Sequence, residues 1–496
     1  MCTGFDVRNV SIVSPDRALR RRPEKRHRGA CARPHPAQLT AHARRVRHTL
    51  SYVSVSYRNL RVSPTLDRLA PSYYEATVAR PARPPLAGQH VTADVCIVGG
   101  GFAGLATALG LVERGMRDIV VLEAERIGFG ASGRNGGFVF GGFSLDCATL
   151  LRLLGPEEAR AIYTLTLDAV ARIDDRIARY GIACDPVREG VILADWFGRP
   201  AALEAQRMLM RAAFGVVWEP LSKETLRDRL KTDRYHGGLI EPRGFHFHPL
   251  KYALGVADAL AAAGAHIHEH SPALAHSYDG KHHTIRTADG TVTARHVVMA
   301  SGGYGRGLYR RVERAVLPIA TYVVTTAPLG HRLAEAIACK AAVYDTRFAF
   351  DYYRPLPDTR ILWGGRISIF EREPRTIARL LKRDLLRVYP QLAGVEVEFA
   401  WGGLMSYARH QMPQVGRCAD GVWHAVGFGG HGVAPTTVAG ELLAAAIAHG
   451  QPIPTAFGAF GLDRTFGPLG LAAAELTYLG KIAADAIAER RACRRV

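Results

Sequence analysis

The sequence predicts an α/β protein: a parallel-sheet domain assembled from separated stretches, carrying an α+β domain built on an antiparallel sheet. Three observations predict it. Short apolar runs at Val95–Val98, Ala294–Ala300 and Val422–Val426 each lead directly into a glycine-rich loop, as buried parallel strands do at their carboxyl ends. The stretches between them read differently, 146–237 mostly helical and 306–408 rich in strands. Finally, 496 residues at 48% hydrophobic composition can bury the cores of two or three domains.

The first 92 residues hold 17 Lys and Arg against 5 acids, so they carry about +12 of the formal +19. Arg20–Arg28 and Arg44–His48 are basic runs among prolines without an apolar period, and residues 1–68 are expected to form a disordered extension. Such an arm suits RNA docking, a membrane surface or an organelle presequence, yet equally a dispensable extension, which is favoured; nucleic acid is not an expected partner. No apolar h-region marks a signal peptide, and no apolar run reaches the roughly 18 residues of a membrane span. The eight cysteines are scattered with no C-x-x-C, so neither a disulfide framework, a zinc site nor any other metal is expected, and a cytoplasmic location fits best.

Residues 93–145 carry the chemistry. Gly99, Gly101 and Gly104 follow the Val95–Val98 strand and open a helix over Leu105–Arg114, with Ala103 between the last two glycines. Gly99 permits the turn, Gly101 lets backbone approach a pyrophosphate, and Gly104 lets helix and strand pack closely. A second strand, Ile119–Leu122, ends at Glu123 and Ala124, where an acid accepts hydrogen bonds from ribose hydroxyls. Together these form a Rossmann-like dinucleotide cradle, without separating FAD from NAD. The loop Gly128–Gly137 then gathers Ser132, Arg134, Asn135, Gly136 and Gly137, suited to crowding donors round a phosphate or an aromatic ring.

The remaining elements follow in order. Pro156–Tyr180 and Leu250–Ala263 have helical spacing, and Ala265–His270 alternates like a strand. Gly280–Thr293 reads as a hairpin turning at Ala288–Gly290, ahead of the Ala294–Ala300 strand and Gly302. Leu317–Ala327 is a strand, and Thr346–Arg354 with Arg360–Arg366 a hairpin turning at Pro357–Asp358. After Val422–Val426 comes the loop of Gly429, Gly430, His431 and Gly432, with Val433 and Ala434 leading into a helix over Thr436–His449. The nucleotide domain is therefore assigned 69–145, 238–305 and 409–455, the second domain 146–237 and 306–408, and 456–496 a helical tail.

Asp94–Gly137, with its Gly130–Gly137 loop, resembles the FAD-dependent amine and amino-acid oxidoreductases of the D-amino-acid oxidase superfamily, nearest the gamma-glutamylputrescine oxidase-like branch. Ser72–Tyr74, Trp363–Arg366, Trp401–Gly403 and Gly427–Gly440 extend the resemblance over about 70–490. It implies FAD, and oxidation of a C–N bond of an amine or amino acid to an imine that water hydrolyses. It places the Gly429–Gly432 loop beside the flavin's pyrimidine end, where a helix N-terminus stabilises developing negative charge, and where His431 either adds to this or hydrogen-bonds the loop. It also makes the antiparallel sheet a roof over the flavin, which nominates Tyr353, Arg366 and Trp401 as substrate contacts; the alternatives are core packing for Tyr353 and Trp401 and a structural ion pair for Arg366. The lysine near the flavin of the sarcosine-oxidase branch is missing from Ile361–Arg366, and flavin-linking residues are missing from Gly128–Gly137 and Gly402–Met412. FAD is thus expected to be noncovalent, with oxygen or a quinone as acceptor. The alternatives are a D-amino-acid dehydrogenase feeding a quinone and an RNA-associated flavoprotein docking through its basic arm.

Overall fold

The computed structural model describes residues 71–493; the basic extension, with its expected disorder, lies outside them. The chain lays down β1 (His90–Val98), helix α1 (Phe102–Glu113), β2 (Ile119–Leu122), the short β3 (Phe138–Val139) and the long helix α2 (Pro156–Arg179). Next come β4 (Val191–Ala194), β5 (Glu219–Leu221), β6 (Gly238–Glu241), β7 (Phe245–His246) and helix α3 (Pro249–Ala262). Strands β8 (His266–His268), β9 (Ala275–Tyr278), β10 (His283–Arg286) and β11 (Thr291–Met299) complete the middle of the chain. The final part holds β12 (Leu317–Thr326), β13 (Ala342–Asp345), β14 (Tyr352–Pro355), β15 (Ile361–Ser368), helix α4 (Pro374–Val388), β16 (Val397–Tyr407), β17 (Gln414–Arg417) and β18 (Trp423–Val426). Helices α5 (Val433–His449) and α6 (Pro468–Cys493) close it.

The first sheet runs β17-β18-β11-β1-β2-β8, with β10 and β9 added beside β11. Its centre is parallel: Val95 pairs with Ile119, Val98 with Met299, and Val298 with Trp423. Strands distant in sequence therefore present their carboxyl ends together. The expected hairpin strand and the expected buried strand prove to be one, β11, which pairs antiparallel with β10 at its start and parallel with β1 along its length.

The second sheet runs β16-β12-β15-β14-β13-β4-β6-β5. Strand β6 belongs here, so the boundary expected at 238 falls inside this sheet, because Gly238–Glu241 pairs with β4. The hairpin expected from Thr346 is shorter: β14 begins at Tyr352, because Arg347 turns back to bind Asp345 and Asp351 and holds the preceding loop out of the ladder. Alternation divides the second sheet's side chains. Ile192, Val343, Tyr353, Trp363, Tyr322 and Val324 pack with Ile377, Leu381, Leu385 and Val388 of α4. Leu193, Tyr344, Leu362, Val323 and Trp401 join the core shared with α1, α3 and α5. One face is thus sealed by a helix, and the other looks towards the glycine loops.

Candidate functional site

The cradle is built from backbone that admits no side chain. Gly99 has φ +118°, and a Cβ there would sit 2.6 Å from the Ala300 carbonyl oxygen; at Gly104 it would sit 2.0 Å from the Gly99 oxygen. Helix α1 starts at Phe102, with Ala103 and Gly104 in its first turn, and its N-cap Gly101 offers no side-chain acceptor. Ser132 Oγ accepts from Phe102 N at 2.9 Å, leaving further first-turn N–H groups for an anion. Glu123 accepts from Gly100 N at 2.6 Å and from Glu125 N at 3.0 Å. Burial nevertheless pushes its carboxyl above the usual range, a state that donors of a ribose would relieve. Ala124 follows in the same loop after β2, and Ala300 N donates to Val98 O at 2.9 Å, bringing Gly302 to the same rim with φ +57°. These residues fit a dinucleotide: the acid sits within hydrogen-bond reach of Gly100, at the mouth of the glycine turn.

The second loop is clamped rather than flexible. Asn135 Nδ2 donates to the Ala131 and Ser132 carbonyls, both at 2.9 Å, and Asn135 Oδ1 accepts from Gly137 N at 2.7 Å. Tyr74 Oη donates to the Asn135 carbonyl at 2.9 Å. Arg134 is buried, spending its guanidinium on the carbonyls of Phe129 and Gly402. Among the described residues no carboxylate lies within ion-pair distance of it, and burial lowers its pKa. Arg354 does most of the clamping: buried in its turn, it donates to Gly136 O at 2.7 Å, Phe247 O at 2.9 Å and Tyr74 Oη at 3.2 Å.

The third loop approaches from β18. Gly429 N donates to Ser406 O at 2.7 Å, with φ +63°. Gly430 lies under Tyr407, whose Oη a Cβ would meet at 3.0 Å. Helix α5 begins at Val433 and Ala434 behind N-cap Gly432, three residues earlier than expected, because the glycine loop needs no further residues to close. His431 is buried and its Nε2 lies 3.1 Å from the Phe140 carbonyl. Burial holds its pKa down at about 3, so at neutral pH the ring is uncharged and Nε2 carries the proton. Among the described residues its Nδ1 is then a buried acceptor with no partner, an orphan that a bound group can satisfy.

Between the loops and the sheet lies an aromatic wall. Tyr352 meets Phe138 edge-on at 5.7 Å and Phe350 at 6.2 Å, while Tyr344 links Phe350 to Phe140, beside His431. Phe138, Phe350, Tyr352, Met405 and Tyr407 remain partly exposed, although burial raises the pKa of both tyrosines, that of Tyr407 to about 12. These rings are largely desolvated without being sealed, with Tyr352 and Phe138 set against Gly136.

The structure corrects two of the nominated substrate contacts. Tyr353 is fully buried on the helix side of the sheet, stacked on Trp363 at 4.3 Å and hydrogen-bonded to Tyr235 and Tyr389. Arg366 sits at a β-bulge with φ +55° and forms a two-pronged ion pair with Asp384 of α4 at 2.6 and 2.9 Å. Both point away from the aromatic wall, Tyr353 because strand alternation puts it opposite Tyr352. Trp401 lies on the correct face but is wholly buried, packing on Tyr74 and donating from Nε1 to the Arg134 carbonyl at 3.0 Å. It supports the loop. The residues missed were Tyr352, Arg354, Phe138 and Phe350; the alternation that groups Tyr352 with Arg354 was readable in the sequence, whereas Phe138 and Phe350 carried no signal there.

Comparison with known proteins follows the same outline. The family profile described as FAD dependent oxidoreductase (DAO) matches residues 94–446. The chain is 37% identical to gamma-glutamylputrescine oxidoreductase of Escherichia coli over 375 residues, 75% of this chain and 88% of that one. It is 32% identical to a probable oxidoreductase of Haemophilus influenzae, over 73% and 84% of the two chains. Among solved structures, glycine oxidase from Geobacillus kaustophilus aligns with a TM-score of 0.63 at 23% identity, covering 76% of this chain and 99% of that one; at that identity the likeness speaks for the fold.

Proposed function

Because the chain belongs to the DAO family of FAD-dependent oxidoreductases, we propose that it oxidises the C–N bond of a gamma-glutamylputrescine-like amine. The enzyme is an FAD-dependent oxidoreductase of the amine and amino-acid type; its substrate is the inference. FAD, when bound, supplies the oxidation by taking a hydride from the carbon beside nitrogen, leaving an imine that water hydrolyses. The chain's own residues hold and orient. Glu123 and the first turn of α1 would hold ribose and phosphates, and the 131–137 and 429–434 loops the ring system.

One observation carries the substrate class: the partly open wall of Phe138, Phe350 and Tyr352 facing the Gly136–Gly137 loop. Aromatic faces bind an extended aliphatic amine along its methylenes and attract its nitrogen before it loses its proton. The neutral His431 adds an acceptor at Nδ1 without adding positive charge that would repel the amine. The 37% identity to gamma-glutamylputrescine oxidoreductase supports the same class. FAD is held noncovalently in this reading, so acid precipitation should release all the flavin.

The deciding experiment is anaerobic titration of the yellow holoenzyme with gamma-glutamylputrescine, sarcosine and D-alanine, followed by flavin absorbance. Bleaching by the first at the lowest concentration is expected. Selective bleaching by D-alanine would move the enzyme to D-amino-acid oxidation, and bleaching by none would sink the substrate class. Reoxidation by air against a soluble quinone then assigns the acceptor.

A further inference from the structure

Helix α6 is amphipathic the wrong way round for a surface helix. Its charges face the body: Glu475 accepts from Ile369 N at 3.0 Å, Asp485 from Phe348 N at 2.9 Å, and Glu489 from Arg234 and Arg387 at 2.6 and 2.9 Å. Its outer side carries Leu469, Leu476, Leu479 and Ile487, exposed by 77, 70, 52 and 50%. Between them lie only Ala473, Thr477, Gly480, Ala483, Ala484 and Ala486, so nothing charged points outward from Leu469 to Ile487. A soluble surface helix places these residues in the opposite sense, and a contiguous apolar strip of this kind marks an interaction surface.

The neighbouring helix says what covers it. Helices α4 and α6 both pack on β12 and β15, and they run side by side: Ile369, just before α4, bonds Glu475, and Arg387 at the far end of α4 bonds Glu489. Along α4, Arg375, Arg379 and Arg383 recur every fourth residue on its exposed side, with Lys382 half-buried beside them. Among the described residues no carboxylate lies within ion-pair distance of these four, and they outnumber Glu371 and Glu373 at the helix start. Arg490 and Arg491 add charge where the apolar strip ends. A second copy docking through α6 would bring this basic stripe against itself.

We propose that α6 and α4 form a face that docks on an anionic phospholipid bilayer. Leu469, Leu476, Leu479 and Ile487 enter the boundary between headgroups and acyl chains, and the α4 arginines rest on lipid phosphates. The apolar strip lies along a helix about 39 Å long, parallel to the surface. Among the described residues no helix is long and apolar enough to cross the membrane, so the attachment is peripheral.

The test is flotation of the full-length holoenzyme with vesicles of phosphatidylcholine, alone or with about a third phosphatidylglycerol, in low and high salt. Binding to the anionic vesicles is expected, falling at least about tenfold in a Leu476→Asp/Leu479→Asp variant that keeps its flavin spectrum and solution turnover. An Arg379→Glu/Arg383→Glu variant should lose binding to anionic vesicles while keeping the apolar strip. Equal flotation of wild type and both variants would place any lipid binding elsewhere, on the basic extension for instance, and overturn the proposal. So would absence of flotation, or a dimer in lipid-free buffer that Leu476→Asp dissolves.

Discussion

Tyr352 and Tyr353 are adjacent, and one peptide step decides which of them joins the aromatic wall proposed to bind substrate. The period-2 alternation of β14 was visible in the sequence, but which face was roofed by a helix was not, since that depends on α4 folding back from further along the chain. Burial then separates the pair: Tyr353 is closed in by Trp363, and Tyr352 is left open against Phe138. Replacing Tyr352 with Ala should raise KM for the amine about tenfold or more with a smaller change in kcat, because the wall binds substrate throughout the reaction. Tyr353→Phe should leave both constants close to wild type and lower Tm by a few degrees, through loss of the bonds to Tyr235 and Tyr389. Steady-state kinetics with a melting curve checks the two together. Arg354 is the other residue the sequence hid. An arginine on a strand suggests a solvent-facing charge or a substrate clamp, and nothing local says that it ties Gly136 and Phe247 together. Arg354→Met leaves two buried carbonyls without donors, a cost of about 3 kcal/mol, and should yield protein that loses flavin on gel filtration.

Elements were more legible than their partners. Helices α2 and α3 and strand β2 matched their sequence patterns to within a residue, since amphipathic spacing and short apolar runs are local signals. Pairings were not local: β4 joining β13 in parallel, or β6 entering the second sheet, has no marker in either strand. The contact between α1 and α5 is of this kind. A Cβ at Gly440 would lie 2.6 Å from Ala106, so this glycine exists to let two helices touch backbone to backbone. Gly440→Leu should push α5 away from α1, destabilise the enzyme by about 2–3 kcal/mol, and weaken flavin binding because α5 carries the 429–434 loop. Isothermal titration of the apoprotein with FAD measures the second effect separately from the first.

At the scale of the whole molecule, the buried histidines set an acid limit. Burial holds His246, His248 and His431 at pKa values of about 3, with the Arg354 charge adding to the effect on the first two. Between about pH 6.5 and 3 the unfolded chain binds protons at these positions that the folded one refuses, so stability rises with pH across that window and falls on acidification. One such histidine accounts for about 2 kcal/mol between pH 6.5 and 5. Tm should therefore drop steeply below pH 6.5, and His431→Asn should flatten the slope; calorimetry from pH 5 to 8 reads it. The net charge of +19 was misleading only in its total, since much of it sits upstream of Ala93, while the arginines on which the docking proposal rests lie along α4; the helical tail was legible in the sequence, but its packing beside α4 was not. The assembly of β1, β11 and β18 from distant stretches has a last consequence, for synthesis. A nascent chain that has emerged only as far as Leu122 owns the glycine turn but only two of its sheet's eight strands, with the β11 side of β1 unpaired. The site can close only when Trp423–Val426 has left the ribosome, late in translation. Folding dominated by such distant pairings is slow, and until it finishes that open strand edge is where aggregation would begin.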